Sequence, residues 1–470
     1  MVPFLQASSN ITGRFQNERG TRVNPRGSDS ILKVSLLASE WNSSMGGLST
    51  INRHLAIQLG GHKQMEVTFL VPPSSCSEEE KRTAQGHNVT IREVQSRPGY
   101  NSLDWLITPP NDLAMDIVVG HGQKLGKQAQ FITESHVCKW IQVVHTSPED
   151  LGMHKDYPMA IQKGEEKKTT EVELCELADA VVAIGPKLGE TFSAYLRSCG
   201  KQQDIIELTP GIFSEFSTIK HAAVDNKNFR VLTFGRADQK NLKLKGYDIV
   251  AKAIAELSDP SYRLIFVGAP DGKQEDIKEF LLQNGILDTQ LTVRKFVQGK
   301  EKLDKVFCEV DLCIMPSRAE GFGLTALEAL LAGLPILVSG CSGLGEALCT
   351  VPSGEKVVVK SVDPKVWAKA IAGVRQKKRS QRLEEIQQLR SAYEKKYSWG
   401  KQCETLVKKM WGISYGKNIL FFFVKILSSF VPLEAISNVF HYFIRNIKSY
   451  RTYERQIGRA SCRERVCQYV

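Results

Sequence analysis

Glu320 and Glu328 are two carboxylates separated by seven residues, and Gly321 and Gly323 lie between them. The apolar run 311–315 before them is short and bounded, as expected for a strand of a parallel sheet buried on both faces. A carboxylate accepts hydrogen bonds from two neighbouring hydroxyls, which suits a sugar or a ribose diol. Glu320 before the turn and Glu328 within the helix could therefore contact different parts of one ligand, although each alone would equally fit a surface ion pair.

The residues after these glycines have the spacing of a helix. Four leucines recur at helical intervals: Leu324, Leu327, Leu330 and Leu331. They predict a helix over 322–331, and the stretch 333–335, Gly-Leu-Pro, is a stop signal. Free N–H groups at a helix start carry partial positive charge, and glycine lets a ligand come close to the backbone. The stretch therefore predicts a phosphate-binding helix start.

The whole stretch resembles the signature of retaining glycosyltransferases of family 4, which have the two-domain GT-B fold. The resemblance rests on residues 317–329, which read Ser-Arg-x-Glu-Gly-Phe-Gly-Leu-x-x-Leu-Glu-Ala. It implies that Glu320 binds hydroxyls of a donor sugar and that Glu328 binds the ribose of the donor nucleotide. It also implies that the donor diphosphate lies on the backbone of four residues: Gly321, Phe322, Gly323 and Leu324.

A glycine pair and an arginine follow two other predicted strands. Gly46 and Gly47 open a helix after the first strand, where the family's glycine pair faces the donor phosphates and the acceptor. A generic helix entrance would have the same pattern. Arg236 follows the first strand of the second half, and a guanidinium there would offset the charge of a diphosphate.

The family also has a lysine beside this arginine, and three lysines here compete for that role. The loop 238–244 is longer than in the family and contains Lys240 and Lys243, while Lys245 follows it. We favour Lys245 because the Gly-Tyr-Asp that comes next matches the family. The alternative is that all three ammonium groups lie in solvent.

Two histidines end predicted strands of the first half. His145 ends the strand 141–144, and the resemblance implies that it contacts the donor sugar. His121 has a similar position with a weaker match to the family. A single histidine at a strand end is also often purely structural.

Other chemistries fit this chain poorly. The glycines of 120–126 do not have the dinucleotide spacing and follow a late strand, which argues against NAD. The chain contains no Asp-x-Asp and no metal-ligand spacing of His, Cys and Asp, so we expect an enzyme without a metal or another cofactor.

The resemblance implies front-face transfer with retention, in which Arg236, Lys245 and the helix start stabilise the departing nucleoside diphosphate.

Alternating strand and helix patterns position these residues. They predict an α/β protein with two doubly wound, Rossmann-like parallel-sheet domains facing a central cleft, which is the GT-B architecture. The predicted divisions are a flexible leader 1–30, an acceptor-side domain 31–208, a linker 209–228, a nucleotide-sugar domain 229–397, a crossing-back helix 398–416 and a tail 417–470. The loops 74–88, 98–110 and 147–168 are expected to select the acceptor.

Composition limits the classes of partner. The chain has 470 residues and a net charge of +11, but its basic residues are scattered among acidic ones without an arginine-rich stripe, so nucleic acid is not expected as a partner. Its eleven cysteines lie singly, which fits a reducing compartment. The start lacks the apolar core of a secretory signal, so we expect a cytoplasmic protein.

The tail contains an apolar segment, 418–432, that is interrupted by Lys425 and is short for a membrane span, and residues 418–446 are the stretch through which a membrane or a partner could be contacted. Peripheral membrane contact, interdomain packing and docking of a partner protein all remain open for it. The residues 458–466 resemble a translated sequencing adapter, which leaves open whether 458–470 belongs to the natural chain.

The sequence thus predicts a retaining hexosyltransferase that uses a nucleotide-diphosphate sugar and an unidentified acceptor. The alternative is a sensor or interaction module that binds a nucleotide sugar on the same fold without turnover. The motif residues that bear on donor binding are intact, which favours the enzyme.

Overall fold

The computed structural model describes residues 31–42, 46–212, 219–297 and 299–415. The predicted leader 1–30 and the tail 417–470, with its apolar segment, lie outside the described residues. Within the described part, strands and helices alternate along the chain and form two separate parallel sheets. The α/β architecture expected from the sequence is therefore confirmed.

The first sheet has seven parallel strands in the order β3-β2-β1-β4-β5-β6-β7. Its strands are β1 (Leu32–Leu37), β2 (Met65–Val71), β3 (Val89–Glu93), β4 (Ile117–His121), β5 (Lys139–Val144), β6 (Ala180–Ile184) and β7 (Ile205–Leu208). The α-helices between them are α1 (Gly47–Gly60), α2 (Glu78–Gln85), α3 (Gly122–Ser135), α4 (Pro148–His154), α5 (Ala160–Leu177) and α6 (Pro186–Tyr195). The strand order reverses direction between β1 and β4, and a crevice opens at such a point beyond the carboxyl ends of the strands.

The second sheet has six parallel strands in the order β10-β9-β8-β11-β12-β13. Its strands are β8 (Phe229–Phe234), β9 (Tyr262–Ala269), β10 (Leu291–Lys295), β11 (Leu312–Met315), β12 (Ile336–Ser339) and β13 (Val358–Val359). Its α-helices are α7 (Tyr247–Glu256), α8 (Gln274–Gln283), α9 (Lys300–Glu309), α10 (Leu324–Leu331), α11 (Gly343–Cys349) and α12 (Pro364–Arg375). This sheet reverses its strand order between β8 and β11.

Two short helices were not predicted from the sequence. α4 lies within the stretch 147–168, which was interpreted as a loop, although Ser147 accepts a capping hydrogen bond from the Asp150 N–H and a proline occupies its first turn. α11 contains two glycines, which disfavour helix, and it forms because the Ser342 hydroxyl accepts from the Gly345 N–H at 3.0 Å. Packing and capping therefore override composition in both places.

The last two described helices lead from the second domain back to the first. α13 (Arg379–Lys396) leads into α14 (Trp399–Tyr415), and α14 packs on α1 and β7 of the first domain. The side-chain amide of Gln402 accepts from the Thr209 N–H and donates to the Thr209 carbonyl, both at 2.7 Å. The last described helix therefore braces the first domain.

A buried ion pair fixes α13 to the second sheet. Arg379 and Asp311 are 3% and 2% exposed and contact each other through the guanidinium and a carboxylate oxygen. The other Asp311 oxygen accepts from the Arg230 N–H at 2.9 Å. Because Asp311 precedes β11, this pair anchors the strand that leads into the glycine-rich loop.

Candidate active site

A cavity of about 490 Å³ lies between the carboxyl ends of the two sheets. Its first-domain wall follows β1, β4 and β5 and includes Gly47, His121 and His145. Its second-domain wall includes Lys245 and Glu320. The cavity therefore lies at the reversal points of both sheets, where α/β folds bind ligands.

The second-domain wall is built by the loop between β11 and α10. Gly323 caps α10 with φ +105°, a conformation that favours glycine. The first turn of α10 has no acidic residue, and the cap makes no side-chain hydrogen bond. Gly323, Leu324 and Thr325 line the cavity, so the positive end of the helix faces it. This arrangement suits a phosphate group.

Glu320 and Lys245 meet beside this helix start. The Lys245 ammonium donates to Glu320 Oε2 at 2.5 Å, and the side chains are 30% and 17% exposed. Ser317 Oγ approaches the same oxygen at 3.4 Å. One carboxylate oxygen is thus held in place, while both charged groups still line the cavity.

Arg318 links the loop that carries Glu320 to the segment that carries Lys245. Its guanidinium binds both carboxylate oxygens of Asp248 at 2.7 Å, in the first turn of α7. Bidentate pairs of this kind are strong and directional. The sequence reasoning missed this positioning role, although Arg318 lies inside the recognised motif.

The three competing lysines have different surroundings. Lys243 forms an exposed ion pair with Asp156 at 2.8 Å, and the Lys240 ammonium lies 5.9 Å from the centroid of the Tyr157 ring. Of the three, Lys245 lines the cavity.

His145 and His121 form a hydrogen-bonded pair on the first-domain wall. His121 Nδ1 and His145 Nε2 are 2.9 Å apart. Burial lowers the pKa of His145 to about 3, and burial together with His145 holds the pKa of His121 well below its usual value. Both imidazoles are therefore neutral at pH 7, so each can accept or donate a hydrogen bond there.

Residues of the glycine-rich loop also touch the first domain. A Cβ placed on Gly321 would come within 2.0 Å of the His145 carbonyl oxygen. A Cβ on Gly185 would lie 2.6 Å from the Phe322 ring, and one on Gly47 would lie 3.1 Å from Leu324. Gly46 precedes α1 with φ +110° and has open space around it. The two domains are closed onto each other at this loop.

Four predicted site residues are not in the cavity lining: Gly46 and Gly321, which each precede a lining residue, and the charged residues Arg236 and Glu328. Arg236 is exposed after β8, and its guanidinium lies 5.5 Å from the centroid of the Phe296 ring. Glu328 is half-buried in α10, and its charge adds to the burial that raises the pKa of Cys313. The structure thus does not bring these two into direct contact with the pocket.

The cavity also contains charged residues that the sequence reasoning missed. Glu171 on α5 is 4% exposed, and burial raises its pKa to about 8. Three lysines lie on the same side: Lys124, Lys155 and Lys167. Glu171 and Lys167 were hidden because the stretch 163–176 is dense in charge and has the composition of a solvent-facing helix.

Residues 35–406 match the family described as family 4 glycosyltransferases in conflict systems. The chain belongs to this family. The resemblance expected from the sequence is therefore confirmed over most of the chain.

Curated relatives of this family member include D-inositol 3-phosphate glycosyltransferases. That of Corynebacterium urealyticum is 24% identical over 286 residues, covering 56% of this chain and 64% of the relative. That of Mycobacterium marinum is 37% identical over 136 residues, covering 28% of each chain. The chain thus spans less than two thirds of the length of these relatives.

Solved structures share the fold of this family member at low identity. Sucrose-phosphate synthase from Thermosynechococcus elongatus has a TM-score of 0.62 and 18% identity, covering 81% of this chain and 99% of that one. Anabaena HepE in complex with UDP and glucose has a TM-score of 0.57 and 16% identity, with the same coverage. The two-domain GT-B fold is shown.

Within the described residues of this family member, no helix is both long and apolar enough to cross a membrane. The apolar segment 418–432 and the stretch 418–446 lie outside that part of the chain.

Proposed function

We propose that this protein transfers a hexose, with retention, from a nucleoside-diphosphate sugar to a hydroxyl acceptor, without a metal or another cofactor. The observation that carries the proposal is the Lys245–Glu320 pair, which lies beside the uncapped start of α10 in the cavity between the domains. An ammonium and a helix start stabilise a diphosphate, while the adjacent carboxylate accepts from sugar hydroxyls. The UDP and glucose named for Anabaena HepE support this choice of donor class.

The proposed reaction keeps both bond changes on one face of the sugar. The bond from C1 to the diphosphate oxygen breaks, the acceptor oxygen bonds to C1, and the acceptor proton passes to the departing diphosphate. Lys245 and the N–H groups of α10 would stabilise the growing negative charge of the diphosphate. His145 would accept from or donate to the donor sugar as a neutral imidazole, since burial lowers its pKa to about 3.

Glu320 would bind hydroxyls of the donor sugar. Lys245 holds one of its oxygens, so the carboxylate is oriented before substrate binds. Glu328 would bind the nucleotide ribose, and Arg236 would bind the diphosphate. Because neither residue lines the described cavity, the bound donor would have to extend beyond it.

The test is a thermal-shift screen of the full chain against UDP-, GDP- and ADP-sugars, with nucleotide release assayed in the same wells. We expect one nucleotide class to raise Tm and to be released. Glu320→Ala should abolish release without lowering the Tm of the free protein, and Glu355→Gln, an exposed glutamate paired with Lys360, serves as the control. A Tm shift without any nucleotide release, across a broad panel of acceptors, would favour the sensor instead.

A further inference from the structure

A groove of about 430 Å³ lies on the surface of the first domain, between α3 and α5. The lining from α3 is Lys127, Gln130 and Phe131, and that from α5 is Thr170, Glu173, Leu174, Glu176 and Leu177. The cavity between the domains is lined by other residues, including other residues of α5. The groove is therefore separate from the candidate active site.

The groove exposes two large apolar side chains to solvent. Phe131 is 55% exposed and Leu177, the last residue of α5, is 61% exposed. Single exposed apolar side chains are common on protein surfaces, but these two line the same concavity. An apolar segment that fills the groove would remove both from water, which is favourable.

The charged residues of the groove restrict what fits there. Glu173 and Glu176 supply two carboxylates, and Lys127 supplies one ammonium. The lining is therefore negative by one charge. A ligand that is mainly apolar and has a single positive charge would match both its apolar and its charged residues.

The described chain ends near this groove. Lys409 of α14 pairs at 3.0 Å with Asp204, which closes a short 3-10 helix that begins at Lys201. The Lys201 ammonium donates to the carbonyl oxygen of Ala178 at 2.6 Å. Ala178 directly follows Leu177 of the groove. Two side-chain contacts and one helical turn thus connect α14 to the groove.

The apolar segment 418–432 follows α14 and lies outside the described residues. Ten of its residues are Ile, Leu, Phe or Val, and Lys425 is its one charged residue. At about 1.5 Å per residue, the end of α14 lies about 9 Å beyond Lys409. An extended chain covers about 3.3–3.6 Å per residue, so residues 416–418 alone can bridge about 10 Å. The segment therefore starts within reach of the groove.

We infer that the groove between α3 and α5 binds the segment 418–432 of the same chain. The apolar side chains of the segment cover Phe131 and Leu177, and Lys425 lies beside Glu173 and Glu176. The first domain is then held by the chain beyond α14 as well as by α14 itself.

The experiment places a photoreactive group in the groove of the full chain. p-Benzoylphenylalanine replaces Phe131, the monomer is isolated and irradiated, and the cross-linked peptides are mapped by mass spectrometry. We expect the main cross-link to join position 131 to a residue of 418–432 within one molecule. The same group in place of Val366, which is 42% exposed on α12 of the second domain, is the control and should not reach this segment.

Substitutions in the segment test whether its aromatic side chains bind the groove. Replacing Phe421, Phe422 and Phe423 together by serine should lower the cross-link yield at least fivefold. The matched control replaces three aromatic residues beyond the segment, Phe440, Tyr442 and Phe443, by serine and should leave the yield unchanged. All these positions lie outside the two sheets, so Tm should stay within a few degrees of that of the parent.

Charge reversal tests the place of Lys425. Lys425→Glu should lower the cross-link yield, because it brings a third carboxylate to the groove. Glu173→Lys with Glu176→Lys in the same chain should restore the yield. A yield that ignores both changes would overturn the assignment of Lys425.

The inference is overturned if the photoreactive group at 131 labels only a second copy, only added phosphatidylglycerol vesicles, or nothing in 418–432. The first result would make the groove a dimer interface and the second a membrane contact. The test needs no nucleotide sugar, so failure of the proposed donor site would leave its outcome unaffected.

Discussion

The Cα of Gly321 lies directly against the carbonyl oxygen of His145, so that a Cβ at this position would come within 2.0 Å of that oxygen. Gly321 belongs to the second domain and directly follows Glu320, whereas His145 belongs to the first domain. We assign both Glu320 and His145 to the reaction. The two domains can therefore approach this closely only because residue 321 is a glycine and has no side chain. This contact joins the glycine-rich loop to the strand end that carries the histidine pair.

Gly321→Ala should lower kcat/KM about 100-fold, because the methyl group pushes the domains apart and a displacement of about 1 Å can cost that much. Steady-state kinetics with the donor found in the thermal-shift screen measure this loss of kcat/KM. Gly373→Ala, in the exposed part of α12 with open space around it, is the matched control and should leave kinetics unchanged. Parental kinetics in Gly321→Ala would show that the closed contact is not needed for turnover.

Lys245→Ala should lower kcat by about 100- to 1,000-fold, as expected when one group that stabilises a leaving anion is removed. Single-turnover release of the nucleotide isolates this step. Lys243→Ala removes a neighbouring ammonium whose exposed pair with Asp156 should contribute only about 0–1 kcal/mol. Equal losses in both variants would contradict the choice of Lys245 and favour a diffuse effect of positive charge.

The His121–His145 pair should make the fold sensitive to acid. A histidine in the unfolded chain has a pKa of about 6.5, while burial lowers that of His145 to about 3 and that of His121 well below its usual value. Between pH 3 and pH 6.5 the unfolded state therefore binds more protons than the folded state. The free energy of unfolding is thus fully retained above pH 6.5 and falls as the pH drops toward 3, by up to about 1.4 kcal/mol per pH unit for each histidine.

Urea unfolding at a series of pH values between 7 and 4.5 measures this slope. His121→Asn should flatten it, since one buried imidazole is removed. His87→Gln changes an exposed histidine outside the cavity lining and serves as the control. A slope in His121→Asn as steep as that of the parent would rule out the pair as its source.

Asp311→Ala should lower the free energy of unfolding by about 3–5 kcal/mol, because it leaves Arg379 charged and buried without its partner. Denaturant unfolding measures the loss. Asp288→Ala breaks an exposed pair with Lys278 at 2.6 Å and should cost no more than about 1 kcal/mol. A similar cost for the two variants would mean that the Arg379–Asp311 pair adds little to the stability of the second domain.

The sequence predicted those features that depend on local pattern. Apolar runs and glycine placement were sufficient for both sheets, and the motif at 317–329 located the helix start and Glu320. Contacts between distant segments were not readable: nothing in the pattern indicates that Gly321 meets His145. Glu171 escaped notice because burial of one face of α5 depends on packing against α3, not on its own charged sequence. Arg236 was expected in the cleft from its strand end, but strand position does not fix where a long side chain lies.

Arg236 provides the sharpest test of the donor site, because its guanidinium lies near the Phe296 ring rather than in the cavity lining. If it turns to the diphosphate when donor binds, Arg236→Ala should lower kcat by about 100-fold or more while leaving Tm unchanged. Arg236→Lys should recover part of this loss, because it restores the charge but not the fork of donors. Arg294→Ala, on β10 of the same sheet and paired with Glu309 at the surface, is the control. Full activity in Arg236→Ala would leave Lys245 and the start of α10 to stabilise the leaving group.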